Sequence, residues 1–349
     1  MTRSRVKVPA HRSRRGSATV ALAVLALSGL LAACGGSGGS GGASGGGQAS
    51  GSSGPLKVGV FFPGSVSDTG FMESGYRGYQ RAQKALGDAV QLSYVEKVEA
   101  TDYEQALVRF ASRNDVVVSM GGQTDADVRK VAPQFPDVKF VEIGGPSDAE
   151  PLPNLAYYDP QQAEAEFLSG AAAAAASKTG TVGFVGGVEL PAIVNAAVAF
   201  GNGARFVRPD VTVLNPQYVG DFNDPAKAKQ AAGTAYAGGA DVLGQIVNLG
   251  KQGMEQAAKE SGNRLNGGPI PGECTDSVYA GYVRTDIGTE IEYAVSSVLD
   301  GSWTAAQVPF GVTTDKGGSE FLTCAEDPAV AAAVADAQAA IVAGSVTPY

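Results

Sequence analysis

LKVGVFF (56–62) runs through Pro63, Gly64 and Ser65 into VSDTGFMESGYRGY (66–79). The first run is short, apolar and partly β-branched, and Gly, Asp and Ser follow it, so it reads as a strand ending in a turn. From Phe71 onward the spacing of Phe71, Tyr76 and Tyr79 is that of a helix with one apolar face. Turn geometry accounts for Ser67, Asp68 and Gly70. It does not account for Phe71, a large aromatic at the end of a first strand.

The same strand-then-helix unit recurs along the chain. Further strands are expected at VQLSYVEK (90–97), DVVVSM (115–120) and VKFVEIG (138–144), with amphipathic helices near 71–86, 102–113 and 124–134. A second series has TVGFVGG (181–187), VTVLNPQYV (211–219) and DVLGQIV (241–247), with helices near 191–206, 225–238 and 250–261. Strands alternating with helices build parallel sheets through right-handed crossovers. Two series, joined near NLAYYDPQQ (154–162), predict an α/β protein of two doubly wound parallel-sheet lobes with a hinge and a central cleft. Lobe one is expected over 56–157 plus about 284–306. Lobe two is expected over 158–283 plus about 307–349, including a C-terminal helix over 328–344. The alanine run 171–176, preceded by Glu164 and Glu166 and followed by Lys178, reads as a small-residue helix face packed on a sheet, not as a membrane span.

The first 16 residues carry six basic side chains (Arg3, Arg5, Lys7, Arg12, Arg14, Arg15) and no acid, and residues 18–33 are apolar. That is the layout of a secretory signal peptide over 1–33. It ends LAAC (31–34), which resembles a bacterial lipobox with Cys34 as the lipidated residue; the plainer reading is an ordinary signal peptide with a cysteine nearby. The Gly/Ser run 35–54 cannot pack a core, and 34–55 is expected to be a lipidated cysteine with a flexible tether. These features place the mature domain outside the cytoplasm, anchored to the cell membrane by lipid.

The whole chain has 26 Lys and Arg against 35 Asp and Glu, so loss of six basic residues with 1–33 leaves 20 against 35, a charge of −15. Nucleic acid is excluded as a partner, because phosphate binding needs a basic face. The single histidine, His11, lies in the signal peptide, which removes histidine bases, triads and histidine metal sites from the mature chain. No metal or cofactor is expected. Cys274 and Cys324 are left as a pair in an oxidising compartment, where a disulfide persists; two buried thiols are the alternative.

In open parallel sheets, ligands bind outside the carboxyl ends of the strands. Ser67, Asp68 and Phe71 follow the first strand, and Gly122, Gln123, Thr124 and Asp125 follow the third. In lobe two, Asp221 and Phe222 follow one strand, and Asn248, Gly250 and Lys251 follow the next. Asp68, Thr124 and Asp125 are also good helix caps, and Phe222 could be core packing. No GxxxxGK[ST] or GxGxxG follows any strand, so phosphate cradles are absent. Acids for paired hydroxyls beside stacking aromatics suit a sugar-bearing ring such as a nucleoside.

VSDTGFMESGYRG, GGQTDADVRKVAPQFPDVKFVEIG, AEFLSGAAAAAASKTGTVGFVGG, YVGDFNDPAKAK and GGADVLGQIVNLGKQGMEQAAKESG follow one another in the order of the BMP (basic membrane protein) family. The chain resembles that family over about 56–346. The resemblance implies a type I periplasmic-binding-protein fold and the role of substrate-binding lipoprotein of an ABC importer, with purine nucleosides bound by the best-understood members. It implies that Asp68 and Phe71 are the first-loop acid and stacking aromatic, Asp125 the ribose-binding acid, Phe200 or Phe222 the second aromatic, and Gly250 a backbone contact. The family's G-V-D-x-D-Q loop reads GGPIPGECTDSV here, with Asp276 standing in for its acid. Arg284 stands where the family often has Lys, and Met72 follows Phe71 in place of Asn.

The expected function is therefore a monomeric, non-enzymatic solute receptor that passes a small polar ligand, a nucleoside first, to an ABC permease. A lipoprotein sensor of the same fold, a binder of a sugar or other solute, and a carboxylate-pair enzyme using Asp68 and Asp125 are the alternatives.

Overall fold

The structure is a computed structural model and describes residues 54–272, 274–324 and 327–349. The signal peptide, Cys34 and nearly all of the tether lie outside the described residues.

The first sheet is built from β1 (Leu56–Phe61), β2 (Val90–Val95), β3 (Val116–Met120), β4 (Lys139–Ile143) and β5 (Leu155–Asp159). Its helices are α1 (Phe71–Leu86), α2 (Tyr103–Ala111) and α3 (Asp125–Val131). Side chains alternate across a strand, so each strand feeds two cores. Val58, Val60, Val116 and Val118 pack under α1, while Phe61, Val117 and Phe140 pack under α2 and α3.

The second sheet holds β6 (Thr181–Gly186), β7 (Thr212–Val213), β8 (Gln217–Tyr218), β9 (Val242–Ile246), β10 (Arg264–Gly267) and β11 (Tyr279–Thr285). Around it lie α4 (Gln162–Ala176), α5 (Pro191–Val207), α6 (Pro225–Ala237) and α7 (Lys251–Ser261). The chain ends with α8 (Ile287–Leu299), β12 (Gln307–Pro309), β13 (Ser319–Thr323) and α9 (Pro328–Val342). The sheet orders are β12-β5-β4-β3-β1-β2 and β13-β11-β10-β9-β6-β7, with β8 also on β6. All pairings are parallel except β11 with β13.

The alanine run lies in α4, and its close packing is against α5 as well as the sheet. A Cβ on Gly170 would sit 1.9 Å from the Phe200 carbonyl oxygen, and one on Gly203 would sit 1.9 Å from that of Phe167. Only glycine at both positions lets the two backbones touch.

The chain crosses between the sheets after β5, after β11 and after β12. The third crossing differs from the expected division near 307. Gln307–Pro309 pairs with Tyr157–Asp159 and so extends the first sheet. Proline is tolerated there because an edge strand need not donate outward. The single strand expected over 211–219 is two short ones, because Pro216 has no amide hydrogen for the ladder. Strand β10 was not expected. Cys274 and Cys324 form a disulfide that ties the loop after β10 to the end of β13.

Candidate functional site

The carboxyl ends of the two parallel sheets face one another across a cleft. Lobe one contributes Asp68, Phe71 and Met72 from the β1–α1 loop, Gly121, Gly122 and Gln123 after β3, and Gly144 after β4. Lobe two contributes Gln162 at the start of α4, Leu190, Ala192 and Ile193 at the start of α5, Phe222 and Asn223, and Ile246 and Asn248 after β9.

The β1–α1 loop is organised around the Asp68 carboxylate, which is buried. Its Oδ1 accepts from the amides of Gly70 (2.8 Å) and Glu73 (3.0 Å), and its Oδ2 from the amide of Met72 (3.3 Å). Asp68 therefore serves the orphan amides that open α1. Burial raises its pKa, and the amides of Glu73, Gly70 and Met72 oppose the shift. A fourth bond comes from lobe two, where Asn248 Nδ2 donates to Oδ2 at 2.7 Å. Four donors occupy the lone pairs a carboxylate offers. At the cleft wall, Asp68 holds its own loop and reaches the opposite lobe.

Asn248 and Phe222 are positioned together. The Phe222 carbonyl accepts from the amides of Asn248 (2.9 Å) and Gly250 (3.1 Å), which fastens the Phe222 loop to the β9–α7 turn. Gly250 thus makes a backbone contact within lobe two and does not line the cleft. At the next position, Lys251 donates from Nζ to the Gly268 carbonyl at 3.2 Å, and burial lowers its pKa.

The other expected residues divide clearly. Phe71, Gly122 and Phe222 line the cleft. Ser67 is exposed beside it, its hydroxyl 3.1 Å from that of Ser65. Phe200 is fully buried, with its ring centroid 5.7 Å from that of Phe184, so the lobe-two aromatic at the cleft is Phe222. Thr124 is buried behind the cleft and donates to Glu142 Oε1 at 2.8 Å. Asp125 accepts from the Tyr157 hydroxyl at 2.7 Å, the same oxygen that accepts from Arg129. Asp276 is paired with Lys259 at 2.7 Å and Arg284 with Glu320 at 2.6 Å, both on the surface. None of these four lines the cleft. Strand-end position pointed to Thr124 and Asp125, and the family resemblance to Asp125, Asp276 and Arg284; neither says which way a side chain turns.

The strand-end positions include Asn248 without giving it a role, and they do not include Gln162, Asn223 or Ile246. Asn248 was visible just after β9, and Gln162 sits at the first junction between the two series.

Residues 56–267 match the family model for PnrA-like ABC transporter substrate-binding proteins, Bmp. The chain belongs to the Bmp family. A purine-binding protein of Brucella abortus is 28% identical over 76% of this Bmp chain and 75% of its own length. An ABC transporter nucleoside-binding protein of Lactococcus lactis subsp. cremoris is 27% identical over 72% and 74%. Among solved structures, an ABC transporter solute-binding protein of Aeropyrum pernix superposes with a TM-score of 0.73 at 21% identity, covering 84% of this chain and 93% of that one. A carbohydrate-transporter solute-binding protein of Agrobacterium radiobacter gives 0.60 at 16% identity, covering 81% and 100%. The fold is that of the type I periplasmic solute-binding proteins. As a Bmp-family member, the chain is an extracytoplasmic substrate-binding protein of an ABC transporter, a role that implies a small-molecule ligand and a permease. Among the described residues no helix is long and apolar enough to cross a membrane.

Proposed function

We propose that this protein is a lipid-anchored receptor that captures a nucleoside between its lobes and presents it to an ABC importer. The observation that carries the reading is the pair Phe71 and Phe222, one from each lobe, lining one cleft with the amide side chains of Gln123, Gln162 and Asn223. Stacking of a base on an aromatic contributes about 1–3 kcal/mol, and amides supply both donors and acceptors for a ribose or a base edge. The purine- and nucleoside-binding names of two relatives support the same class.

Capture works by hinge closure about the three crossings. A ligand that touches both lobes favours the closed arrangement, in which Asn248 reaches Asp68. Cys34 carries the lipid, the Gly/Ser run provides reach, and the domain acts as a monomer. Calorimetry of the soluble domain against nucleosides, sugars and amino acids tests the reading. Saturable binding of at least one nucleoside is expected; binding confined to sugars or amino acids would remove it.

A further inference from the structure

The cleft does not end at the lining already described. Beside it lies a small recess whose walls include Glu166, Gln245 and Thr285. Phe71, Gln162, Ile246 and Asn248 line both spaces, so the two adjoin. A ring stacked on Phe71 therefore has one edge directed at the compartment.

The polar groups there are unevenly satisfied. Glu166 is 1% exposed, and neither carboxylate oxygen has a hydrogen-bond partner among the described residues. Thr285 is equally buried, and its hydroxyl is also unpartnered. The other polar walls are engaged: Gln245 Oε1 accepts from the Val247 amide at 2.8 Å, and Asn248 is held by Asp68. No basic residue lines the compartment. What remains is one buried carboxyl without a hydrogen-bond partner, and an unpartnered hydroxyl on the same wall. A buried polar group left without a partner is costly, and one that finds its partner only in the ligand becomes a strong discriminator.

We infer that this compartment is a specificity subsite in which Glu166 receives two parallel N–H donors from a purine carrying an amino group next to a ring N–H, the edge of a guanine-type base. The inference rests on the nucleoside reading above. Guanine presents N1–H and the exocyclic amino group on one edge, matching two carboxylate oxygens in a charge-assisted, bidentate pair. Hypoxanthine keeps the ring N–H but lacks the amino group. Adenine places an acceptor beside its amino group. Burial pushes the Glu166 carboxyl up to about 8, so the free protein holds it mostly protonated at neutral pH; two N–H donors favour the charged form, and binding then releases that proton to solvent.

The test is calorimetry at neutral pH with guanosine, inosine and adenosine, on the wild type and Glu166→Gln. Guanosine should bind at least about tenfold tighter than inosine or adenosine, since a polar site rejects an analogue lacking its donor. Glu166→Gln should erase that preference while retaining inosine binding. Equal affinities, a preference for adenosine, or a preference that survives Glu166→Gln would each overturn the subsite and leave the nucleoside reading standing. If no nucleoside binds, both fall. Should Glu166→Gln fail to fold, the wild-type ratio of guanosine to inosine still decides. A crystal structure of the guanosine complex with only a water against Glu166 would also overturn it.

Discussion

Asn248 of lobe two holds the β1–α1 loop of lobe one with both ends of its amide. Nδ2 donates to Asp68 Oδ2 at 2.7 Å, and Oδ1 accepts from the Phe71 amide at 3.3 Å. One side chain thus ties a helix-capping carboxylate and a cleft aromatic to the opposite lobe. The contact bridges the two lobes, so under the proposed hinge closure it favours the closed arrangement.

Asn248→Ala is therefore expected to weaken ligand affinity by about tenfold, the worth of one or two hydrogen bonds, with little change in melting temperature. Calorimetry and thermal melts read the two effects separately. Small-angle scattering should show a larger ligand-free radius of gyration. A drop in melting temperature with unchanged affinity would assign Asn248 to the fold instead.

Gly70 makes the same closure sterically possible. A Cβ there would lie 2.0 Å from Asn248 Oδ1. Gly70→Ala should fold normally and lose affinity by at least about tenfold, because the closed state becomes less populated. Wild-type affinity in this variant would mean that the ligand is held without this approach.

Phe222 and Phe200 should separate binding from stability. Phe222→Ala removes a cleft ring and should weaken a stacked ligand by about 1–3 kcal/mol while the domain stays folded. Phe200→Ala opens a hole in a fully buried site and should lower stability by about 3–5 kcal/mol. Denaturant titration and calorimetry on both variants check the pattern, and the reverse pattern would exchange their roles.

Stability should fall as pH rises from about 5 to about 8. Burial raises the carboxyls of Glu142, Glu166 and Glu290, the second to about 8. Unfolded glutamate titrates near pH 4.3, so between that value and the raised folded values the folded state binds more protons than the unfolded one. Linkage then makes the unfolding free energy decrease with pH, by up to about 1.4 kcal/mol per pH unit for each group. Thermal melts of the ligand-free domain follow the slope, and Glu166→Gln should reduce it. A melting temperature that rises over this range would show these carboxylates charged and partnered in solution.

Much of the fold was readable because its cues are local. Val58, Val60 and Phe61 alternate within one strand, and Asp286 caps α8 by accepting from the Gly288 amide two residues on. Where a local cue misled, another local fact explains it, as at Pro216. The placement of β12 was different. Nothing within Gln307–Pro309 says that it pairs with Tyr157–Asp159, about 150 residues earlier in the chain.

By itself, the sequence determined the α/β class, the two parallel lobes, and a cleft at the strand ends bearing Phe71. Each follows from periodicity, turn chemistry or composition over a few neighbouring residues. Only the tertiary structure decided that Asp68 is saturated by its own loop and by Asn248, that Phe222 and not Phe200 meets the cleft, that Asp125 turns to Tyr157, and that Glu166 stands unpartnered behind Phe71. A side chain's direction and its hydrogen-bond partners depend on elements that are distant in sequence, such as the 180 residues between Asp68 and Asn248, and such separations leave no periodic trace along the chain.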